Sequence, residues 1–107
     1  MRRGDIALTA LSGDYGKPRP IVIVQNDAVA VFDSVIVCPL TSHVLDAATI
    51  RVIVEPAADN GLQVRSEVMT EKIMAVSRRR VAEVIGRLPE ATMREVESRL
   101  AFLLGLG

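Results

Sequence analysis

At Pro89 the spacing of apolar residues changes period, and that change constrains the fold more than any other feature of the chain. Beyond it Met93, Val96, Leu100 and Leu103 recur three and four residues apart, which is one face of an α-helix. Pro89 suits a first helical turn, Glu90 the positive end of the helix dipole and Gly105 a C-terminal cap. Glu90 with Arg94, and Glu95 with Arg99, are spaced for ion pairs along the helix.

Before Pro89 the apolar runs are short and follow the two-residue period of strands. Residues 6–11 alternate. Ile21-Val22-Ile23-Val24 is a continuous β-branched run, as expected of a strand buried on both faces. Residues 35–40 form a third strand with Pro39 near its end, and residues 49–55 a fourth. In the fourth, Ile50, Val52 and Val54 are expected inward, with Arg51 and Glu55 outward. Val68-Met69 and residues 73–76 read as two shorter pieces. Residues 81–88 read as a helical turn followed by a strand through Val84-Ile85. Between the strands, residues 12–19 carry two glycines, Asp14, Lys17 and Pro18 and read as a loop, while Asn60-Gly61 is a strong turn signal. Many short strands followed by one helix predict an α+β, mostly β fold: a small, partly open barrel with a C-terminal helix packed on it. With no repeat, low-complexity tract or linker, residues 1–107 read as one domain.

With 50% hydrophobic and 24% charged residues the chain is of globular, not disordered, composition. Aromatic residues are confined to Tyr15, Phe32 and Phe102, so the core must be built from aliphatic side chains. The formal net charge is zero, which argues against a non-specific nucleic-acid binder while leaving room for a local basic pocket. One cysteine, Cys38, allows no internal disulfide and suits a reducing cytosol. The N-terminus lacks the apolar stretch of a signal peptide, and no run approaches the roughly 20 apolar residues of a membrane span. The expectation is a complete, cytoplasmic protein without membrane association.

Several chemistries fall away on residue content. Cys38 and His43 are the single cysteine and histidine; they offer no zinc-ligand spacing, and a mid-strand cysteine is usually a buried packing residue. No phosphate-binding glycine loop precedes a helix. What remains is a set of residues at strand ends: Tyr15, Lys17 and Arg19 around the first long loop, and Thr41, Ser42 and His43 after the third strand. Adjacent strands would bring these ends together. Arg19 offers a planar fork of donors that matches a phosphate, and Thr41 a hydroxyl that both donates and accepts. On residue chemistry alone, a solvated turn arginine and a turn-capping threonine are the favoured account of them, since such residues occur in most loops. Arg78-Arg79-Arg80 reads either as an RNA-contacting patch or as a solvated turn.

The order of several short motifs carries more information. Arg3-Gly4-Asp5-Ile6 is followed by Arg19-Pro20 and the strand ending Asn26-Asp27, then by Pro39-Leu40-Thr41-Ser42. Gly61-Leu62, Ser66-Glu67-Val68, Ile85-Gly86-Arg87-Leu88 and Leu104-Gly105-Leu106 complete the series. Taken together over nearly the whole chain, these resemble the MazF/PemK-like toxins of type II toxin–antitoxin systems. The resemblance implies an SH3-like barrel of the CcdB/MazF type and a homodimer. It implies a metal-independent, cofactor-free, sequence-specific endoribonuclease that cuts single-stranded RNA by attack of the 2′-OH, leaving a cyclic phosphate and a 5′-OH. It assigns catalysis to Arg19 and Thr41. Tyr15, Lys17 and Ser42 are the neighbouring candidates for substrate binding. A cognate antitoxin is expected to lay an acidic segment over the same basic residues. The family loop before Gly16 is often longer and carries a glutamate; here Asp14 is its only acidic counterpart.

Two rivals stand beside this reading. A CcdB-like toxin would share the fold and trap gyrase by binding, using a Trp near the C-terminus; this chain has no Trp and ends Gly105-Leu106-Gly107. A non-catalytic SH3-like peptide-binding module would need an aromatic groove, for which three scattered aromatic residues are too few.

Overall fold

Alternation along β-branched strands produces a sheet with two apolar faces. The computed structural model describes residues 1–10 and 17–107; Asp14 and Tyr15 lie outside the described residues. The strands are β1 (Asp5–Ala10), β2 (Pro18–Ile23), β3 (Ser34–Thr41), β4 (Arg51–Val54), β5 (Ser66–Met69), β6 (Met74–Ser77) and β7 (Val81–Arg87), and the helix is α1 (Glu90–Leu103). Short 3-10 turns at Thr70–Lys72 and Arg78–Arg80 precede β6 and β7. The strands run in the order β4-β5-β3-β2-β1-β7, all antiparallel, with β6 added to β3. The sheet does not close on itself, so the barrel is partly open.

The long strand β3 organises the molecule. One edge pairs with β2 through Ile21 with Pro39, Val22 with Cys38 and Ile23 with Val37. The other edge is shared: β6 takes residues from Ser34 to Val37, and β5 takes Leu40 and Thr41. Pro39, which has no N–H to donate, sits opposite the break between β5 and β6, where the ladder is already interrupted.

Residues of one parity face the helix. Ile6, Val22, Cys38, Leu40, Val52, Val54 and Val68 pack there with Leu88, Met93 and Val96. Residues of the other parity, Ala7, Ile21, Ile23, Val35, Val37 and Val76, form a second, smaller core. Ile21, Val22 and Ile23 are thus buried on both faces, as their β-branched run predicts.

The helix begins after Pro89, which is its N-cap residue rather than its first turn, and ends in a Schellman motif. Gly105 adopts φ 74°, its N–H donates to Phe102 O and the Leu106 N–H donates to Ala101 O. Of the expected helical ion pairs, Arg99 instead reaches across to the carbonyl of Ala48. The predicted turn at Asn60-Gly61 also has a tertiary role. The Asn60 side chain, buried, accepts from the N–H groups of Ala57 and Leu62 and donates to Glu55 O. A Cβ at Gly61, which has φ +70°, would lie 2.2 Å from Ile85 O, and one at Gly86 would lie 2.3 Å from the Asn60 carbonyl carbon. The turn therefore lies backbone to backbone on β7.

Three further expectations change in the structure. The segment expected to be loop up to Arg19 is already strand from Pro18, with Arg19 paired to Thr9 of β1. That half of β2 has its ladder with β1, while the ladder to β3 begins only at Ile21, so Pro18 and Pro20 are tolerated as on an edge strand. Arg51 does face away from the helix side, yet it is buried, because carboxylates cover it. Residues 81–87 are strand throughout, the helical turn lying earlier at Arg78–Arg80. Among the described residues no helix is long and apolar enough to cross a membrane.

Candidate active site

The ladder between β2 and β3 stops at Ile21 and Pro39. Beyond that pair Pro18, Pro20 and Pro39 withhold the donors that would continue it, and the sheet opens into a groove of about 640 Å³. Extending the register two residues past the last pair puts Thr41 opposite Arg19, and both line the groove. Its floor is apolar, with Pro39, Leu40, Met69, Met74 and Val76. Its rim carries Arg19, Lys72 and Arg80, with the hydroxyls of Thr41 and Ser77. No carboxylate lines it among the described residues. A chain of zero net charge thus gathers three cations on one concave surface.

Each wall has its own support. Arg19 projects from a strand anchored to β1 through the pair with Thr9, and the buried Thr9 hydroxyl donates to Arg80 O at 2.7 Å. One threonine therefore ties two of the cationic segments together. The Thr41 Oγ1 accepts from the His43 N–H at 3.1 Å, a local turn that orients the hydroxyl at the end of β3. Lys72 closes the 3-10 turn between β5 and β6, whose Thr70 hydroxyl, fully buried, donates to Ile50 O at 2.5 Å.

The other sequence candidates fall at or outside the rim. Lys17 and Ser42 are exposed and flank Arg19 and Thr41 without lining the groove. Tyr15 lies outside the described residues. Arg78 serves the loop before β3, donating from Nε to Phe32 O and from its N–H to Asp33 O, while Arg80 reaches the groove and Arg79 is exposed. Cys38 is buried beneath the helix, and burial, helped by the Glu71 charge, pushes its thiol up to about 12. It is an inert packing residue there, far from the exposed His43 in environment.

Of the Arg78–Arg80 run, left open between an RNA-contacting patch and a solvated turn, only Arg80 lines the groove; sequence reasoning missed Lys72, and it missed the charges behind these residues. Arg51 donates from Nε to Glu71 Oε1 and Oε2 at 3.2 and 3.1 Å, from Nη2 to Glu71 Oε2 at 2.5 Å and from Nη1 to Glu67 Oε1 at 3.3 Å. Glu67 is wholly buried and is the cross-strand partner of Thr41. Burial alone would raise its carboxyl, but the Leu45 N–H at 2.9 Å and the Arg51 guanidinium outweigh that and hold it below the ordinary range. Glu71 is also held low, chiefly by its hydrogen bonds to Arg51. A Glu between Ser66 and Val68 in a strand was the available signal, since a carboxylate flanked by inward residues needs a partner. Among the described residues no three His, Cys, Asp or Glu side chains converge to hold a metal ion.

Residues 2–104 match the family described as PemK-like, MazF-like toxin of type II toxin–antitoxin system. The chain is 39% identical, over 99% of its own length and 98% of the relative's, to a probable endoribonuclease MazF of Mycolicibacterium smegmatis. Its fold matches an endoribonuclease in complex with its cognate antitoxin from a mycobacterial species, with TM-score 0.84 and 25% identity, covering 100% of this chain and 97% of that one. It also matches the crystal structure of MazF from Deinococcus radiodurans, with TM-score 0.80 and 24% identity over 98% of this chain and 96% of that one.

Proposed function

From the premise that the chain belongs to the PemK-like, MazF-like toxin family of type II toxin–antitoxin systems, and is an endoribonuclease of it, we propose how it cuts. The substrate is single-stranded RNA, recognised over a short sequence. The ribose 2′-OH attacks the adjacent phosphorus, the bond to the 5′ oxygen breaks, and the products are a cyclic phosphate and a free 5′-OH. Negative charge builds on the non-bridging and leaving oxygens, so the barrier falls when fixed donors meet them. Arg19 supplies a bidentate fork to those oxygens and a hydrogen bond to the leaving 5′ oxygen. Thr41 holds the phosphate in line for attack. Lys17 and Ser42, beside these two, and Tyr15 hold the flanking nucleotides.

The observation that carries this reading is the opposition of Arg19 and Thr41 across the mouth of a groove rimmed by cations, with no carboxylate lining it among the described residues. Such a donor set suits an anionic transition state. A cognate antitoxin would inhibit by laying an acidic segment over the same rim. The protein works in the cytoplasm as a homodimer, with the exposed Phe102, Leu104 and Leu106 at the end of α1 among the apolar residues that a second copy would cover. The gyrase-binding alternative gains no support from these matches.

The test is direct. Purified protein is incubated with a long single-stranded RNA in excess EDTA, and the cut ends are mapped and identified. Cleavage at a short repeated sequence, with cyclic phosphate and 5′-OH ends, is expected. Cutting only after addition of magnesium, or ends carrying a 5′-phosphate, would overturn the mechanism.

A further inference from the structure

Two walls of the groove come from separate parts of the chain: Thr41 from the end of β3, and Lys72 from the turn between β5 and β6. Arg51 touches the support of both. Its Nε and Nη2 hold Glu71, the residue before Lys72. Its Nη1 holds Glu67, which pairs across the sheet with Thr41 and accepts the Leu45 N–H from the loop just beyond it. That loop contains Asp46 at φ 57°, an uncommon backbone for a residue other than glycine.

The cluster is poorly explained as a source of stability. Buried ion pairs are often matched or exceeded by apolar replacements of similar volume. Here the pair is also incompletely satisfied, because Glu67 Oε2 is buried with no donor in hydrogen-bonding geometry among the described residues; the Asp46 N–H lies near the carboxylate but outside that geometry. An oxygen left in that state weighs against the fold, and its retention calls for another role.

We propose that Arg51 and Glu67 are positioning residues for the groove, a buried pair that sets the spacing between Thr41 and Lys72 so that one phosphate meets both. This rests on the reading of the groove as the cleavage site. Neither residue touches RNA. They act through the backbone of β3, the loop at residues 42–46 and the 3-10 turn, and Glu71 completes the link on the Lys72 side.

The test is the double variant Arg51→Met with Glu67→Leu, compared with wild type and with Thr41→Ala. Each is assayed on a short single-stranded RNA well below its melting temperature, and amide hydrogen exchange is followed at residues 42–46. The charge-free pair is expected to fold. Its kcat should fall by about 10-fold or more, the scale on which small misplacement acts, while KM moves little. Exchange at residues 42–46 should rise. A purely structural role would lower the melting temperature and leave kcat per folded molecule unchanged; that result overturns the proposal and leaves the groove reading standing. Thr41→Ala cutting at the wild-type rate would remove the groove reading and the positioning claim with it. If the double variant does not fold, Glu71→Gln carries the test: it keeps the buried pair, frees the Lys72 turn, and should lower kcat by a smaller factor with KM little changed. Wild-type kcat in that variant would likewise overturn the proposal.

Discussion

The two faces of the sheet are made by alternating residues of the same strands, and they have opposite characters. On the helix side Val22, Cys38, Leu40, Val52 and Val68 meet Met93 and Val96 in an apolar core. On the other side Ile21, Val37 and Ala7 begin a core, but two residues further along β2 and β1, and four along β3, the same face presents Arg19, Thr9 and Thr41. Glu67 and Arg51 continue that polar band on β5 and β4. One face carries the larger core and the other a smaller core beside the proposed site, and neither is a separate module. Thr41 is held in place because its neighbour in the strand, Leu40, is locked in the helix-side core. A register slip of one residue would exchange the two faces, so the packing of the core also specifies the site.

The sharpest break in this division is expected from the covered face. Met93→Ala should destabilise the fold by about 2–5 kcal/mol, the usual cost of truncating a buried methionine, while the cleavage rate per folded molecule stays unchanged. Denaturant unfolding and single-turnover cleavage on the same preparation check both halves. Arg19→Ala should do the converse, lowering cleavage by about 10²-fold with the melting temperature held. Arg19→Lys should restore only part of the rate, since a point charge does not reproduce the fork. Thr41→Ala should slow cleavage less than Arg19→Ala, because a hydroxyl carries no charge.

Acid should act where the two faces meet. Glu67 and Glu71 are held below their ordinary value of 4.5 in the folded protein, so the unfolded chain binds more protons in that window. Their contribution is complete above about pH 4.5 and is lost as pH falls through the lower folded values. The melting temperature should therefore drop on acidification, and the Arg51→Met, Glu67→Leu variant should show a flatter acid limb. Arg79→Ala should have the smallest effect, leaving the rate near wild type, because Arg79 is exposed and does not line the groove.

What was legible in the residues follows the same division. The helix was readable to within a residue at its start and at its Gly105 cap, because its period and its caps are local. The buried run at Ile21-Val22-Ile23 was readable because a continuous β-branched stretch needs two apolar faces. The start of β2 was not, since Pro18-Arg19-Pro20 has the composition of a turn and becomes strand only because one neighbour suffices there. Arg19 and Thr41 were singled out by family resemblance, whereas their opposition depends on a β2–β3 register that no local pattern encodes. Lys72, and which arginine of the Arg78–Arg80 run would reach the groove, were hidden for a related reason. Lys72 and Arg80 reach the groove because β5 and β6 are interrupted opposite Pro39, a long-range feature of the sheet. Arg51 looked solvent-facing because alternation reports which side a residue takes, not whether ionic partners cover that side.

The concentration of cations in the groove of a neutral chain has a consequence for how RNA arrives. With 13 basic and 13 acidic residues, the protein as a whole exerts little attraction at a distance, and salt ions mask what remains beyond about 10 Å. Encounter should therefore be nearly indifferent to ionic strength. Seating is another matter. Arg19, Lys72 and Arg80 can displace the counterions of the phosphates they meet, and at about 0.7 ion released per phosphate on a single strand the affinity should fall as the salt concentration rises. Salt would then loosen RNA from the groove by hastening its departure, while leaving the rate at which strands find the protein almost untouched.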